Sequence, residues 1–423
     1  MTDLPTLVLQ IAAIIATSRL VGWLFASAGQ PRVVGEIAAG ILLGPSLLGW
    51  AAPTAFAALF PPASLPTLHT LAQAGLLLFM FTVGLEFDPA LMRGRGRTAL
   101  ATSWASIALP FALGAALAVP AYPRLSDPSV PLTGFVLFMG AAMSVTAFPV
   151  LARILTERGL IHTPLGTMAL ACAAVDDVSA WTILAVVVAI VRGAALAQPL
   201  WVTMIGFSAY AAVLVLAVRP LLGRTIGARV RARGALASID LLVLFILMAL
   251  SAWTTAWLGV HALFGAFAMG AVMPKERALT DGVTSRLSPV VLVVLLPLFF
   301  AYTGLRTRIG LVSGGEMWLW TGAILVVAVA GKLGGSWAAA RATGMAWREA
   351  AALGILMNTR GLMELVILNV GLELGVISPT VFTMMVLMAL VTTAMTTPLL
   401  GWVWPRGAER APLAPAPDRA HLR

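Results

Sequence analysis

Asp176 and Asp177 stand side by side near the middle of an apolar run from about Thr163 to Val191. A run of that length crosses a bilayer, whose hydrocarbon core takes about 20 helical residues. An Asp at the bilayer centre costs roughly 2.5 to 3.5 kcal/mol to insert. Two adjacent acids at that depth must face protein or water. They mark a cation or proton site, or else a buried acid pair neutralised by protonation or by a basic partner.

The rest of the chain is built to house such a span. Its 423 residues are 60% hydrophobic and only 10% charged, with mean hydropathy +0.97, which places it among all-α, polytopic membrane proteins. The formal charge of +10 could suggest nucleic acid as a partner. The basic residues lie in loops between apolar segments, however, where they set topology in the lipid bilayer, so no nucleic acid is expected. The single Cys172 excludes an internal disulfide and a multi-Cys metal site, and reads as a small packing residue.

About thirteen apolar segments are expected, at 5–27, 33–50, 65–87, 98–121, 130–156, 163–191, 199–219, 239–256, 258–274, 286–304, 316–340, 347–372 and 378–403. Leu241–Met273 is too long for one span and tight for two. The loop before it carries Arg224, Arg229, Arg231 and Arg233, and the loop after it Lys275, Arg277 and Arg286. Both belong on the cytoplasmic side, so the run crosses twice and turns near Trp257-Leu258-Gly259. The same rule puts the N-terminus outside and the C-terminus in the cytoplasm of a cell (inner or plasma) membrane. The Pro/Ala-rich tail, 405–423, is expected to be disordered.

Thirteen segments divide as six, a linker and six, and segment 1 then runs opposite to segment 8. This is the inverted-topology repeat of many secondary transporters. Segments 5 and 12 become counterparts, and both look interrupted. One holds Met143-Ser-Val-Thr-Ala-Phe-Pro149, with an interior Pro that removes a backbone hydrogen bond. The other holds Met357-Asn-Thr-Arg-Gly-Leu-Met-Glu364, polar and Gly-bearing. Unwound backbone at membrane depth is tolerated where it lines a cavity or is buried in protein. Two broken helices are therefore expected to cross beside the acids.

Several stretches carry a resemblance: Pro31-Arg-Val-Val-Gly-Glu-Ile-Ala-Ala-Gly-Ile-Leu-Leu-Gly-Pro45, Leu78-Phe-Met-Phe-Thr-Val-Gly-Leu-Glu-Phe87, Thr146-Ala-Phe-Pro-Val-Leu-Ala-Arg153, Asp176-Asp177, Lys332 and Asn358-Thr-Arg-Gly-Leu-Met-Glu-Leu365. Together, and in this order, they resemble the monovalent cation:proton antiporter-2 family, the bacterial Na+/H+ and K+/H+ exchangers. The resemblance implies an exchanger membrane domain over 1–404, a homodimer, an elevator-like moving core and an aspartate-centred ion site. Dimer-side spans would be 5–87 and 239–304, core spans 98–191 and 316–403, and the linker span 199–219. It further implies that Asp177 carries the ion and that Asp176 pairs with Lys332. No Kef-type C-terminal nucleotide-binding domain is expected beyond the spans, which puts ligand gating of that kind in doubt.

The polar residues of the spans complete the expected site. Adjacent helical residues point about 100° apart, so Asp176 and Asp177 face different neighbours. Lys332 lies mid-span and needs an anionic partner; the alternative is a Lys snorkelling to the interface. Gly331 and Gly335 around it permit close helix approach. Arg360 and Glu364 are four apart and can pair on a helix. Ser144, Thr146 and Asn358 offer neutral oxygens beside the breaks, Thr146 being the preferred ligand and a hydroxyl bonded back to its own helix the alternative. Glu36, Arg19 and Glu86 read as structural or interfacial, and His261 as a cap. Carboxylate, carbonyl and hydroxyl oxygens suit hard monovalent ions, Na+, K+ or Li+, rather than soft metals, and no cofactor is needed. One acid that trades a proton for a cation gives secondary active antiport, expected to be electrogenic. An intramembrane aspartyl protease lacks its Gly-x-Gly-Asp element here, and a channel would need a continuous pore. The remaining alternative is a Na+-coupled symporter of a small organic solute on the same type of fold.

Overall fold

The computed structural model describes residues 4–86, 96–161, 163–192, 200–258 and 261–405. All regular elements among them are helical. The first group comprises α1 (Leu4–Ser27), α2 (Arg32–Leu43) and α3 (Leu65–Glu86). Next come α4 (Gly96–Leu125), α5 (Leu132–Met143), α6 (Phe148–Glu157) and α7 (Pro164–Arg192). A long helix, α8 (200–233), leads to α9 (Ser238–Trp257), α10 (Ala262–Ala271) and α11 (277–306). The chain then forms α12 (Gly314–Ala342), α13 (Trp347–Met357), α14 (Leu362–Glu373) and α15 (Pro379–Val403).

Ten helices among the described residues are long and apolar enough to cross a membrane, or eleven when α13 and α14, bent by 40° at their break, are taken as one span. The count of thirteen is thus not reached by length and composition. The remaining two expected segments hold shorter apolar helices, α5 and α10. At about 1.5 Å rise per residue, the ten residues of α10 cover about 15 Å, half of a hydrocarbon core. The run Leu241–Met273 does divide at Leu258, into α9 and α10, which pack side by side.

Two local readings change. The basic stretch from Arg219 to Arg233 is the helical end of α8, closed by Gly234 in a left-handed conformation (φ 70°). Three of its arginines are paired: Arg229 and Arg233 reach the buried Asp240 at 2.7 and 3.6 Å, and Arg231 reaches Glu276. The break in the fifth segment does not fall at Pro149. Helix α5 ends at Met143, residues 144–147 are unwound, and Pro149 sits in the first turn of α6. There a missing N–H costs nothing, because first-turn amides have no intrahelical acceptor. The expected tail lies almost wholly outside the described residues, as does the side chain of Glu86.

Two packing groups hold the site. Helices α1, α2, α3, α10 and α11 pack on one another, and α4 to α7 pack with α12, α13 and α15. Helix α12 lies hard against α4, where a Cβ on Gly331 would come within 2.7 Å of Pro110 and one on Gly335 within 2.8 Å of the Ala105 carbonyl. This small-residue face brings Lys332 to the middle of the second group.

Candidate functional site

The two interruptions meet. The backbone N–H of Ala147, in the first, donates to the Thr359 carbonyl in the second at 3.0 Å. Thr146 Oγ1 lies 3.0 Å from the Met357 carbonyl, the open end of α13. Arg360 donates to the Ala142 and Met143 carbonyls, at 3.1 and 2.5 Å, and so caps α5. A helix end leaves its last carbonyls without partners and carries partial negative charge, so a guanidinium is a fitting cap. Arg360 also donates to Glu364 Oε2 at 2.7 Å, and both side chains are fully buried. Gly361 joins Arg360 to α14 with φ 153° and ψ −124°, a backbone region only glycine adopts readily. From α15, Thr393 accepts from the Arg360 N–H at 3.0 Å and lies 2.6 Å from the Arg360 carbonyl. One hydroxyl thus serves both backbone groups of an unwound residue.

Helix α7 passes this crossover and delivers the two acids to different surroundings. Asp176 is ringed by donors. Lys332 Nζ reaches its Oδ2 at 2.7 Å and Thr146 Oγ1 reaches the same oxygen at 2.9 Å. Ser106 Oγ lies 2.6 and 2.9 Å from its two oxygens. Lys332 stands on a π-helical turn, Ala330–Gly334, a local widening that is frequent at functional sites. Asp177 has no such company. Both its carboxylate oxygens are buried without a hydrogen-bond partner among the described residues. The backbone N–H of Phe148, at the start of α6, approaches it without hydrogen-bond geometry. Asn358 Oδ1 is likewise buried and unpartnered.

The expected site residues therefore divide. Asp176, Thr146 and Lys332 form one bonded cluster, and Arg360 and Glu364 form a second that closes the crossover. Asp177 and Asn358 hold uncommitted oxygens. Ser144 turns its hydroxyl back to the Ala141 carbonyl of its own helix at 2.8 Å. Ser106 and Thr393 were not singled out from sequence. Their partners lie 70 and 33 residues away, and hydroxyls on helices are commonplace. The one available signal was Ser103 and Ser106, three apart on a single face of α4.

A cavity of about 710 Å³ approaches the crossover from one end of the bundle. Arg19, Glu36 and Arg153 stand in its wall with Phe300, Val150 and Leu362. Val150 and Leu362 lie within three residues of the two interruptions. Arg153 of α6 comes within 4.0 Å of Glu36 on α2, bridging the two packing groups. At the start of α10, His261 caps the helix, its Nδ1 accepting from the Leu263 N–H at 3.4 Å.

The transmembrane sodium/hydrogen exchanger model matches residues 14–404. The chain belongs to the sodium/hydrogen exchanger family. The exchanger is 44% identical over 412 residues to the Na(+)/H(+) antiporter NhaS4 of Synechocystis sp., covering 96% of this chain and 100% of that protein. It is 38% identical over 411 residues to cation/H(+) antiporter 17 of Arabidopsis thaliana, with 96% of this chain and 49% of that protein covered. Against K(+)/H(+) antiporter 1 of Saccharomyces cerevisiae it is 34% identical over 432 residues, with 99% and 49% covered. The exchanger thus spans about half the length of these plant and yeast relatives. Its fold matches the sodium proton antiporter MjNhaP1 of Methanocaldococcus jannaschii with a TM-score of 0.65 at 13% identity, over 94% of this chain and 96% of that one. The family indicated by the motifs is the one found.

Proposed function

We propose that this exchanger moves a monovalent cation, Na+ or K+, against protons, with Asp177 as the group that carries each in turn. The observation that carries the reading is the contrast between two adjacent acids at one crossover. Asp176 is committed to three side-chain donors, whereas Asp177 keeps two buried, unpartnered oxygens. A bare carboxylate out of water is unstable, and either a proton or a cation relieves it. Two ligands that satisfy the same oxygens exclude each other, and mutual exclusion at a site reached alternately from two sides is antiport. Thr146, Asn358 and the unwound carbonyls supply neutral oxygens for a partly dehydrated hard cation.

Lys332 balances the charge of Asp176 while Asp177 changes state. Cation binding at Asp177 displaces Lys332 from Asp176, and the ammonium then gives up its proton as Asp177 gives up its own, so more protons than cations cross per turn and the cycle moves net charge. In this reading α1–α3 and α9–α11 form the dimer side of a homodimer, and α4–α7 with α12–α15 form the moving core. The N-terminus is outside and the C-terminus cytoplasmic, so the cavity beside Glu36 and Arg153 opens inward. The symporter alternative finds no support among the relatives named above, all of which carry antiporter names.

Proteoliposomes loaded with a pH-sensitive dye test the reading. Adding Na+, K+ or Li+ to vesicles acidified inside should move protons out with at least one of the three. Silence with all three would overturn it.

A further inference from the structure

We propose that Arg32, Arg153 and Arg158 form a binding site for a phosphate group at the seam between the two packing groups, and that a phosphate held there slows exchange. The inference rests on the alternating-access reading above, in which those groups move past each other. The site is a second cavity, of about 320 Å³, beside the larger one; Arg153 stands in the wall of both. Arg32, at the start of α2, lines it from the first packing group. From the second group, Arg153, Glu157 and Arg158 line it at the end of α6, and Thr397 lines it from α15. Ligand pockets span about 300 to 1,000 Å³, so this one takes a phosphate and a small part of whatever bears it.

Each guanidinium is held differently. Arg158 lies along α15: its Nη2 donates to the Thr397 carbonyl and, one turn on, lies 3.5 Å from where a Cβ on Gly401 would stand. Arg153 is divided between Glu157, at 3.2 Å on its own helix, and Glu36, at 4.0 Å on α2. The Arg32 side chain is exposed and has no hydrogen-bond or ion-pair partner among the described residues. Three guanidiniums against one carboxylate, Glu157, leave the wall in positive excess. The positive-inside rule accounts for arginines on this side of the membrane; it does not account for three of them, from two packing groups, lining one cavity. A phosphate carries about −1.5 to −2 charges at neutral pH, and its oxygens match the fork of a guanidinium with paired hydrogen bonds.

The direction of the effect follows from where the arginines stand. A ligand that touches both groups binds the arrangement seen here and not one in which they have moved apart, so it shifts the population toward this arrangement. Exchange needs that movement, so phosphate on the cytoplasmic side inhibits. At ten times its Kd, a ligand of one state alone shifts the balance by about tenfold, which sets the scale of the slowing. The phosphate comes either free from the cytoplasm or as a lipid headgroup from the inner leaflet, and the chemistry that recognises it is the same.

Two measurements test the site and separate the sources. In the first, purified protein is melted in detergent with inorganic phosphate replacing chloride at constant ionic strength. Phosphate stabilises folded proteins in general by exclusion from their surface, so the readout is the difference between wild type and Arg32→Gln. Wild type should show a saturable rise in melting temperature. Its midpoint should lie at about tenfold higher phosphate in Arg32→Gln, the loss expected for one hydrogen bond to a charged group. In the second, tracer exchange of 22Na+ or 86Rb+ is followed in phosphatidylcholine vesicles, with inorganic phosphate on both faces or with phosphatidic acid in the bilayer. Slowing by inorganic phosphate identifies a soluble ligand, and slowing by phosphatidic acid alone a headgroup. Either should be relieved in Arg32→Gln and in Arg158→Gln. An Arg32→Gln protein that matches wild type in the melting series and in both kinds of vesicle overturns the site. A melting difference with unslowed exchange in both overturns the inhibition. Absence of tracer exchange in wild type without either addition would instead count against antiport itself, and the melting series would still decide whether phosphate binds.

Discussion

Removing either acid of the pair has an opposite structural consequence. Asp176→Asn leaves the Lys332 ammonium fully buried beside a neutral amide. Breaking a buried ion pair by deleting one partner costs about 3 to 5 kcal/mol. The Asp176→Asn protein should therefore melt well below wild type in detergent. Asp177→Asn removes a buried carboxylate that has no partner, so its melting temperature should equal or exceed that of wild type while cation-driven proton movement is abolished. A thermal-shift comparison of the two variants checks this, and equal losses would contradict the division of roles. The acids and Lys332 were legible in sequence because charge at membrane depth is costly and rare. Ser106 was not, since its role comes from a contact made 70 residues away.

At the level of the element, the crossover depends on groups that compensate for missing helix bonds. Gly361 has a backbone no side chain adopts easily, and a Cβ there would come within 2.9 Å of Val150. Gly361→Ala should cost about 1 to 3 kcal/mol and slow exchange. Thr393→Val strips both Arg360 backbone groups of their shared hydroxyl and should cost about 1 to 3 kcal/mol, whereas Thr393→Ser should be near neutral. Denaturation midpoints of the three variants test this, and a neutral Thr393→Val would refute the role. The existence of both interruptions was legible from Pro149 and from the polar Asn358–Gly361 stretch. The first falls inside Met143–Pro149, but Pro149 opens the next helix instead of ending one, because a proline that ends one helix and one that begins the next read alike in sequence. What fixes the position is Arg360, whose bonds to Ala142 and Met143 end α5, and that partner is more than 200 residues distant.

For the molecule as a whole, hydropathy located nearly every helix, and charge divided the Leu241–Met273 run in two. It did not foresee that α10 would be only ten residues long, or that the arginines after Arg219 would continue a helix. Hydropathy reports the length of an apolar run, not how much of it is wound, and basic residues are good helix formers. In the reading proposed above, the whole assembly converges on one carboxyl that holds either a proton or a cation. Proton release on cation binding tests that claim most directly. Purified protein in weakly buffered detergent solution, held at a pH where Asp177 carries its proton, should release protons when Na+ or K+ is added. The release should saturate with cation and vanish in Asp177→Asn, with choline as the inert control. Undiminished release from Asp177→Asn, or none from a wild-type preparation that exchanges in vesicles, would contradict the account.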